Sequence, residues 1–249
     1  MKIVKSENPT ELGTLAGKTA AAIIREAIKE KGFANIILGT GTSQFETLRQ
    51  LLEEDIDWTK VNIFHLDEYI GIPASHPASF RRYLKERFLD KAGPFASVHL
   101  VNGETNPEAE CKRLGEIIIN HPIDVALAGF GENGHLAFND PPADFETEEA
   151  FLVVELDEAC RKQQFGEGWF KSFDEVPQRA ISMSIHQIMK SKHIVCSVPD
   201  KRKAKAVKDC LENEISNLYP ASILRRHPDC QVFLDRASAS LLDIQVEHK

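Results

Sequence analysis

Short apolar runs alternate with amphipathic stretches along the whole chain, and this alternation constrains the fold more than any other feature. Runs fit strands at Asn35–Leu38, Val61–Leu66, Val98–Val101, Ile123–Ala128, Phe151–Glu155, Ala180–Ile185, His193–Val198 and Gln231–Leu234. Stretches with helical spacing separate most of them. The first is Thr10–Glu30, where Leu12, Leu15, Ala16, Ile23, Ile24, Ala27 and Ile28 recur near a period of 3.6 before Gly32 ends the pattern. Ile36-Ile37-Leu38 carries no charge and Ile123–Ala128 only Asp124, as expected of central parallel strands covered on both faces. The predicted class is therefore α/β, with a mostly parallel central sheet between two helical layers. At 249 residues the chain fits one such domain. Its longest aperiodic stretch, from Asn139 to Ala150, contains Pro141-Pro142 and the acidic run Asp144–Glu149, and opens a predicted lid or rim at 139–175.

Composition excludes several partners. A formal charge of −8 opposes broad binding to nucleic acid or an anionic membrane surface. No apolar run reaches the ~18 residues of a membrane span, and the first residues lack a signal-peptide core, so a cytoplasmic location is expected. The five cysteines form no C-x-x-C pair, which supports neither a disulfide framework nor a thiolate zinc site.

Ligands of an open α/β sheet bind beyond the carboxyl ends of its strands, which directs attention to four segments. Gly39–Ser43 is a small, hydroxyl-rich turn before a helix expected near Ser43. Its backbone N–H groups suit an anion, without the lysine or spacing of a P-loop. Asp67-Glu68 follows the Val61–Leu66 run and supplies a general-base candidate. Gly129-x-Gly131-x-x-Gly134 matches the dinucleotide fingerprint, with Glu155 about 20 residues further on. Pro141-Pro142 opposes the helix that a pyrophosphate would need there, so no nucleotide cofactor is assigned. His135 instead stands out among nine histidines, because Glu132, Asn133, Asn139 and Asp140 can orient it. No second histidine at ligand spacing accompanies it, and no metal is assigned. Asp200 caps a basic stretch and places Lys203 where an ammonium and a helix start could meet one anion. These are parts for a small anionic substrate, a proton acceptor and an imidazole shuttle.

Phe64–Gly71, Gly129–Pro141, Val176-Pro177, Arg202–Ala204 and Leu224–Pro228 together resemble the ordered motifs of the glucosamine-6-phosphate deaminase/isomerase family, over about Ile36–Ser240. The resemblance implies a Rossmann-like fold and conversion of an amino-sugar phosphate to fructose 6-phosphate and ammonia, without metal or organic cofactor. It implies that Asp67 moves a proton from C2 to C1 and that His135 assists ring opening. Two carboxylates accompany this histidine in the family, and their places fall on Asn133, which has no charge, and Asp140, a shortened glutamate. Phosphate contacts fall on Gly41, Thr42, Ser43 and Lys203. A further basic residue of the family matches Gln164, with Arg161 close enough in sequence to replace it. The acidic run Asp144–Glu149 stands where regulated relatives carry effector-binding basic residues, so activation by N-acetylglucosamine 6-phosphate is not expected. Fold relatives include 6-phosphogluconolactonases. Galactosamine 6-phosphate as substrate, or a noncatalytic sugar-phosphate sensor, is a further alternative. Family members occur as monomers and hexamers, which leaves oligomeric state open.

Overall fold

In the computed structural model, residues 1–243 are described. Ten strands occur among them: β1 (Lys2–Ser6), β2 (Ala34–Leu38), β3 (Val61–His65), β4 (Asp67–Tyr69), β5 (Ser97–His99), β6 (Val125–Ala128), β7 (Phe151–Glu155), β8 (Arg179–Met183), β9 (His193–Val198) and β10 (Cys230–Asp235). The helices are α1 (Pro9–Lys31), α2 (Phe45–Glu53), α3 (Phe80–Leu84), α4 (Asp90–Ala92), α5 (Pro107–Ile118), α6 (Glu158–Gly166), α7 (Ile185–Met189) and α8 (Ala204–Glu212). Seven strands form a parallel sheet in the order β1-β10-β9-β6-β2-β3-β5.

Side-chain alternation divides the core. Ile36 and Leu38 of β2, Val125 and Leu127 of β6, and Val195 of β9 pack with Leu12, Ala16, Ala20 and Ile24 of α1 and Leu48 and Leu51 of α2. Ile37, Ala126, Ala128, Ile194 and Cys196 point the other way, against Leu114 and Ile118 of α5, Ile185 and Ile188 of α7, and Val207 and Leu211 of α8. A period of two thus serves both helical layers, and the three-layer α/β class follows. Helix α1 begins where Asn8 Oδ1 accepts from Glu11 N at 2.9 Å with Pro9 in its first turn, and ends at Gly32. Asp124, the charge within the fourth predicted run, falls just before β6. It accepts from Asn35 N at 2.8 Å and pairs with Lys31 at 2.9 Å.

Three expectations change. Strand β1 escaped the sequence reading, because its five residues lie at the chain's start and mix two lysines with two apolar residues. Asp67-Glu68-Tyr69, which falls outside every predicted strand, is itself a strand. It pairs antiparallel with β8, which pairs antiparallel with β7, in a separate three-stranded sheet. The helix expected near Ser43 starts at Phe45, after a single tight turn at Thr42–Gln44. The 139–175 segment is irregular only at first and then supplies β7 and α6. Among the described residues no helix is long and apolar enough to cross a membrane.

Candidate functional site

Sheet order reverses between β2 and β6. From β2 the chain continues to β3 and β5 on one flank, while β6 lies beside β9, β10 and β1 on the other. Such a switch point leaves a crevice at the carboxyl ends of the two strands. Gln44 Nε2 bridges it, donating to Ala128 O at 2.9 Å. The cleft above is lined by Gly39–Ser43, Asp67, Gly129–Gly131, His135 and Lys203, with Gln163, Gln164 and Glu167 of the α6 region as a further wall. Residues from four separate strand ends therefore meet in one place.

The glycine-rich turn comes from the first of these ends. Gly41 sits at φ 86° and ψ 175°, which a side chain would strain, and its carbonyl accepts from Tyr83 Oη at 2.9 Å. Lys203 is 7% exposed and lines the same cleft from the turn before α8. Burial pulls its ammonium below the usual lysine range, while Glu167 and Glu132 oppose that pull. Asp200 caps the turn by accepting from Arg202 N at 3.0 Å.

Strand β4 sets the carboxylate. Asp67 lies opposite Ser182 and is 6% exposed. Burial first, and the negative Glu68 second, push its carboxyl well above the usual range. Glu68 itself is fully buried and spent on structure: it accepts from Ser79 Oγ at 2.7 Å, Arg81 N at 3.0 Å and Arg81 Nε at 3.2 Å. Of the adjacent acids, only Asp67 faces the cleft. Tyr69 anchors the strand's other end in a cluster with Phe80, Phe138 and Phe170, and its hydroxyl donates to Gln164 Oε1 at 2.7 Å.

His135 is held by its own loop. Its carbonyl accepts from Gly131 N at 3.0 Å, and its N–H donates to Asn133 Oδ1 at 3.0 Å. The imidazole lies on Gly131 so closely that a Cβ there would stand 2.2–2.5 Å from three ring atoms. Asp140 Oδ1 is 3.2 Å from Nδ1. Asn133 Nδ2 and Asp157 N donate to Asp140 at 3.0 and 3.1 Å. Burial alone would raise this carboxyl, but the imidazole, the amide and the N–H outweigh it and hold Asp140 below the usual range. Asn139 Nδ2 pins the loop to the second sheet through Met183 O at 2.8 Å. As anticipated for the GxGxxG segment, Gly134 opens no helix: residues 134–150 are non-helical.

His135, Asp140 and Cys160 present ligand atoms within 4.8 Å of one another, a set chemically able to hold a divalent metal. Burial raises the Cys160 thiol far above the usual range, with Asp140 and Asp157 adding to it.

The structure unites Asp67, Asn133, His135 and Asp140 with Gly41, Thr42, Ser43 and Lys203 around this cleft, but not Arg161. Arg161 turns to the far side of α6, donates to Val176 O at 2.9 Å and stacks on Phe173 at 4.5 Å. Gln164 takes the cleft position, so the proposed replacement fails on geometry. Gln163, Glu167 and Cys160 were missed, since polar residues on a short helix carry no signal of which face meets a ligand.

Fold and site together define an α/β protein whose cleft brings a glycine-rich turn and a buried lysine together with a buried carboxylate and a carboxylate-braced imidazole. Residues 7–233 match the family described as glucosamine-6-phosphate isomerases/6-phosphogluconolactonase, and the chain belongs to that family. It is 36% identical, over 97% of its length and 100% of the relative, to a glucosamine-6-phosphate deaminase of Lactobacillus delbrueckii subsp. bulgaricus. One from Streptococcus pneumoniae (strain Hungary19A-6) is 32% identical over 98% of this chain and 100% of the relative. The fold superposes on a monomeric glucosamine-6-phosphate deaminase with a TM-score of 0.88 at 34% identity, covering 97% of this chain and 100% of the other. A 6-phosphogluconolactonase from Shewanella baltica OS155 shares the fold at a TM-score of 0.79 and 21% identity, over 94% and 97% of the two chains.

Proposed function

We propose that the protein is an isomerising deaminase that converts glucosamine 6-phosphate and water to fructose 6-phosphate and ammonia. The observation that carries this reading is a buried carboxylate with no salt-bridge partner among the described residues, Asp67, in the same cleft as His135 and an anion seat built on Lys203. The phosphate binds the N–H groups of Gly41–Ser43 and the Lys203 ammonium, which places the sugar toward Asp67 and His135. His135 moves the proton that opens the ring and frees the C1 carbonyl. Asp140 stabilises the imidazolium form, and Asn133 fixes both partners by hydrogen bonds. The C2 proton, acidic only once C1 is a carbonyl, passes to Asp67, leaving an enolamine. Returning that proton to C1 gives a C2 imine, to which water adds and from which ammonia leaves. No step needs a redox partner. The reading places the enzyme in the cytoplasm, where a charged phosphate retains sugars behind an apolar bilayer.

Identity to deaminases favours this reaction over lactone hydrolysis, as does the Asp67 carboxylate. Ammonia release from glucosamine 6-phosphate and galactosamine 6-phosphate, assayed beside hydrolysis of 6-phosphogluconolactone, tests it. Ammonia from the glucosamine substrate is expected; hydrolysis of the lactone without ammonia from either amino sugar refutes the proposal.

A further inference from the structure

The proposed reaction leaves one carboxylate of the cleft without a task. Glu167 lines the same cleft as Lys203, Asp67 and Thr42. It follows α6 directly: its N–H donates to Gln163 O at 3.1 Å, and Gly168 then turns the chain at φ 84°. Its Oε1 accepts from Gln163 Nε2 at 3.3 Å, and Gln163 Oε1 accepts from Glu132 N at 2.8 Å on the glycine-rich loop. Behind it, Phe170 and Trp169 pack into the aromatic cluster. The carboxylate is thus braced at the cleft wall, and its field reaches Lys203.

Charge bookkeeping then becomes informative. Among the described residues lining the cleft, Lys203 is the only lysine or arginine, and Gln163 and Gln164 are neutral. A phosphate dianion seated on Lys203 meets the negative charge of Glu167, and Arg202, the neighbouring cation whose charge also reaches Glu167, is already paired with Asp200 at 2.9 Å and Glu132 at 3.7 Å. A ligand that brings its own cation relieves the conflict. Glucosamine 6-phosphate does so through its C2 ammonium, whereas glucose 6-phosphate has a hydroxyl at that position.

Building on the deaminase reading, we propose that Glu167 is a specificity-determining carboxylate: it selects amine-bearing sugar phosphates by penalising any phosphate that carries no cation of its own. One unit charge acting across a partly solvated cleft changes relative affinity by about tenfold, and added salt reduces the effect.

The test uses two unreactive open-chain ligands, 2-amino-2-deoxyglucitol 6-phosphate and glucitol 6-phosphate, which lack the C1 carbonyl. Their dissociation constants are measured by calorimetry with wild type, Glu167→Gln, Glu167→Ala and Glu167→Asp. Wild type should prefer the amine. The two neutral variants should lose about tenfold of that preference, with glucitol 6-phosphate binding more tightly, and Glu167→Asp should retain most of it. An unchanged ratio in the neutral variants overturns the proposal, whether both ligands bind more tightly, more weakly or as before; so does a wild type without preference. Failure of the deaminase reading appears separately, as absent ammonia release, because this ratio needs no turnover.

Discussion

Gly131→Ala isolates the seating of the imidazole proposed to open the ring from the stability of the fold. The added Cβ would stand 2.2 Å from His135 Cε1, 2.4 Å from Nε2 and 2.5 Å from Nδ1, against 3.4 Å or more for ordinary contact. Since Gly131 does not have a positive φ, the backbone accepts alanine and relief must come from the ring. The imidazole has to move by about 1 Å, a displacement that can cost on the order of 10²-fold in rate when it misplaces a reacting group. It also departs from Asp140, now 3.2 Å away. The cost to folding is small by comparison, because the atoms that yield are the far end of one side chain at the cleft. We expect kcat for ammonia release to fall by about 10²-fold with a melting temperature within a few degrees of wild type, measured by coupled assay and calorimetry. Wild-type turnover in a folded variant would refute the proposed position of the ring; a large loss of stability would show that Gly131 serves the core instead.

Three further outcomes follow from the same geometry. Lys203→Met removes the only lysine or arginine side chain that lines the cleft among the described residues, so KM should rise by roughly 10- to 100-fold with kcat changed less, as expected for loss of one charge-assisted contact; an unchanged KM would place the phosphate elsewhere. Asp67 titrates above the usual carboxylate range because burial and Glu68 disfavour its charge. A base works only when ionised, so the acid limb of kcat/KM should lie above pH ~4, the ordinary aspartate value, and a limb at or below it would contradict the assignment. The stability sign is the reverse: the contribution from protonated Asp67 is full below its unfolded pKa and lost as pH rises through the raised folded value, so Asp67→Asn should raise the melting temperature at neutral pH.

What could be read from the sequence divides along physical lines. Strands β2 and β6 were legible because a sheet covered on both faces requires nearly uninterrupted apolar residues, and the glycines after them marked the cleft. Strand β4 was not, since Asp67-Glu68-Tyr69 has no apolar period and its strand geometry comes from β8, more than a hundred residues away. His135 and Asp140 could be paired from their spacing in one loop. The α6 wall could not: Cys160 and Gln164 form its buried face, and the neighbouring Arg161 lies about 100° further around the helix, where it meets Phe173. Charge alone made Arg161 attractive; helical phase decides otherwise.

Ammonia release by Asp67→Asn tests the central claim most directly. With Asp67 as the group that carries the proton from C2 to C1, the variant should bind 2-amino-2-deoxyglucitol 6-phosphate about as well as wild type yet release ammonia from glucosamine 6-phosphate at least 10²- to 10⁴-fold more slowly, the usual contribution of a positioned base. A folded variant that keeps a tenth or more of wild-type turnover would contradict the account and move the base elsewhere in the cleft.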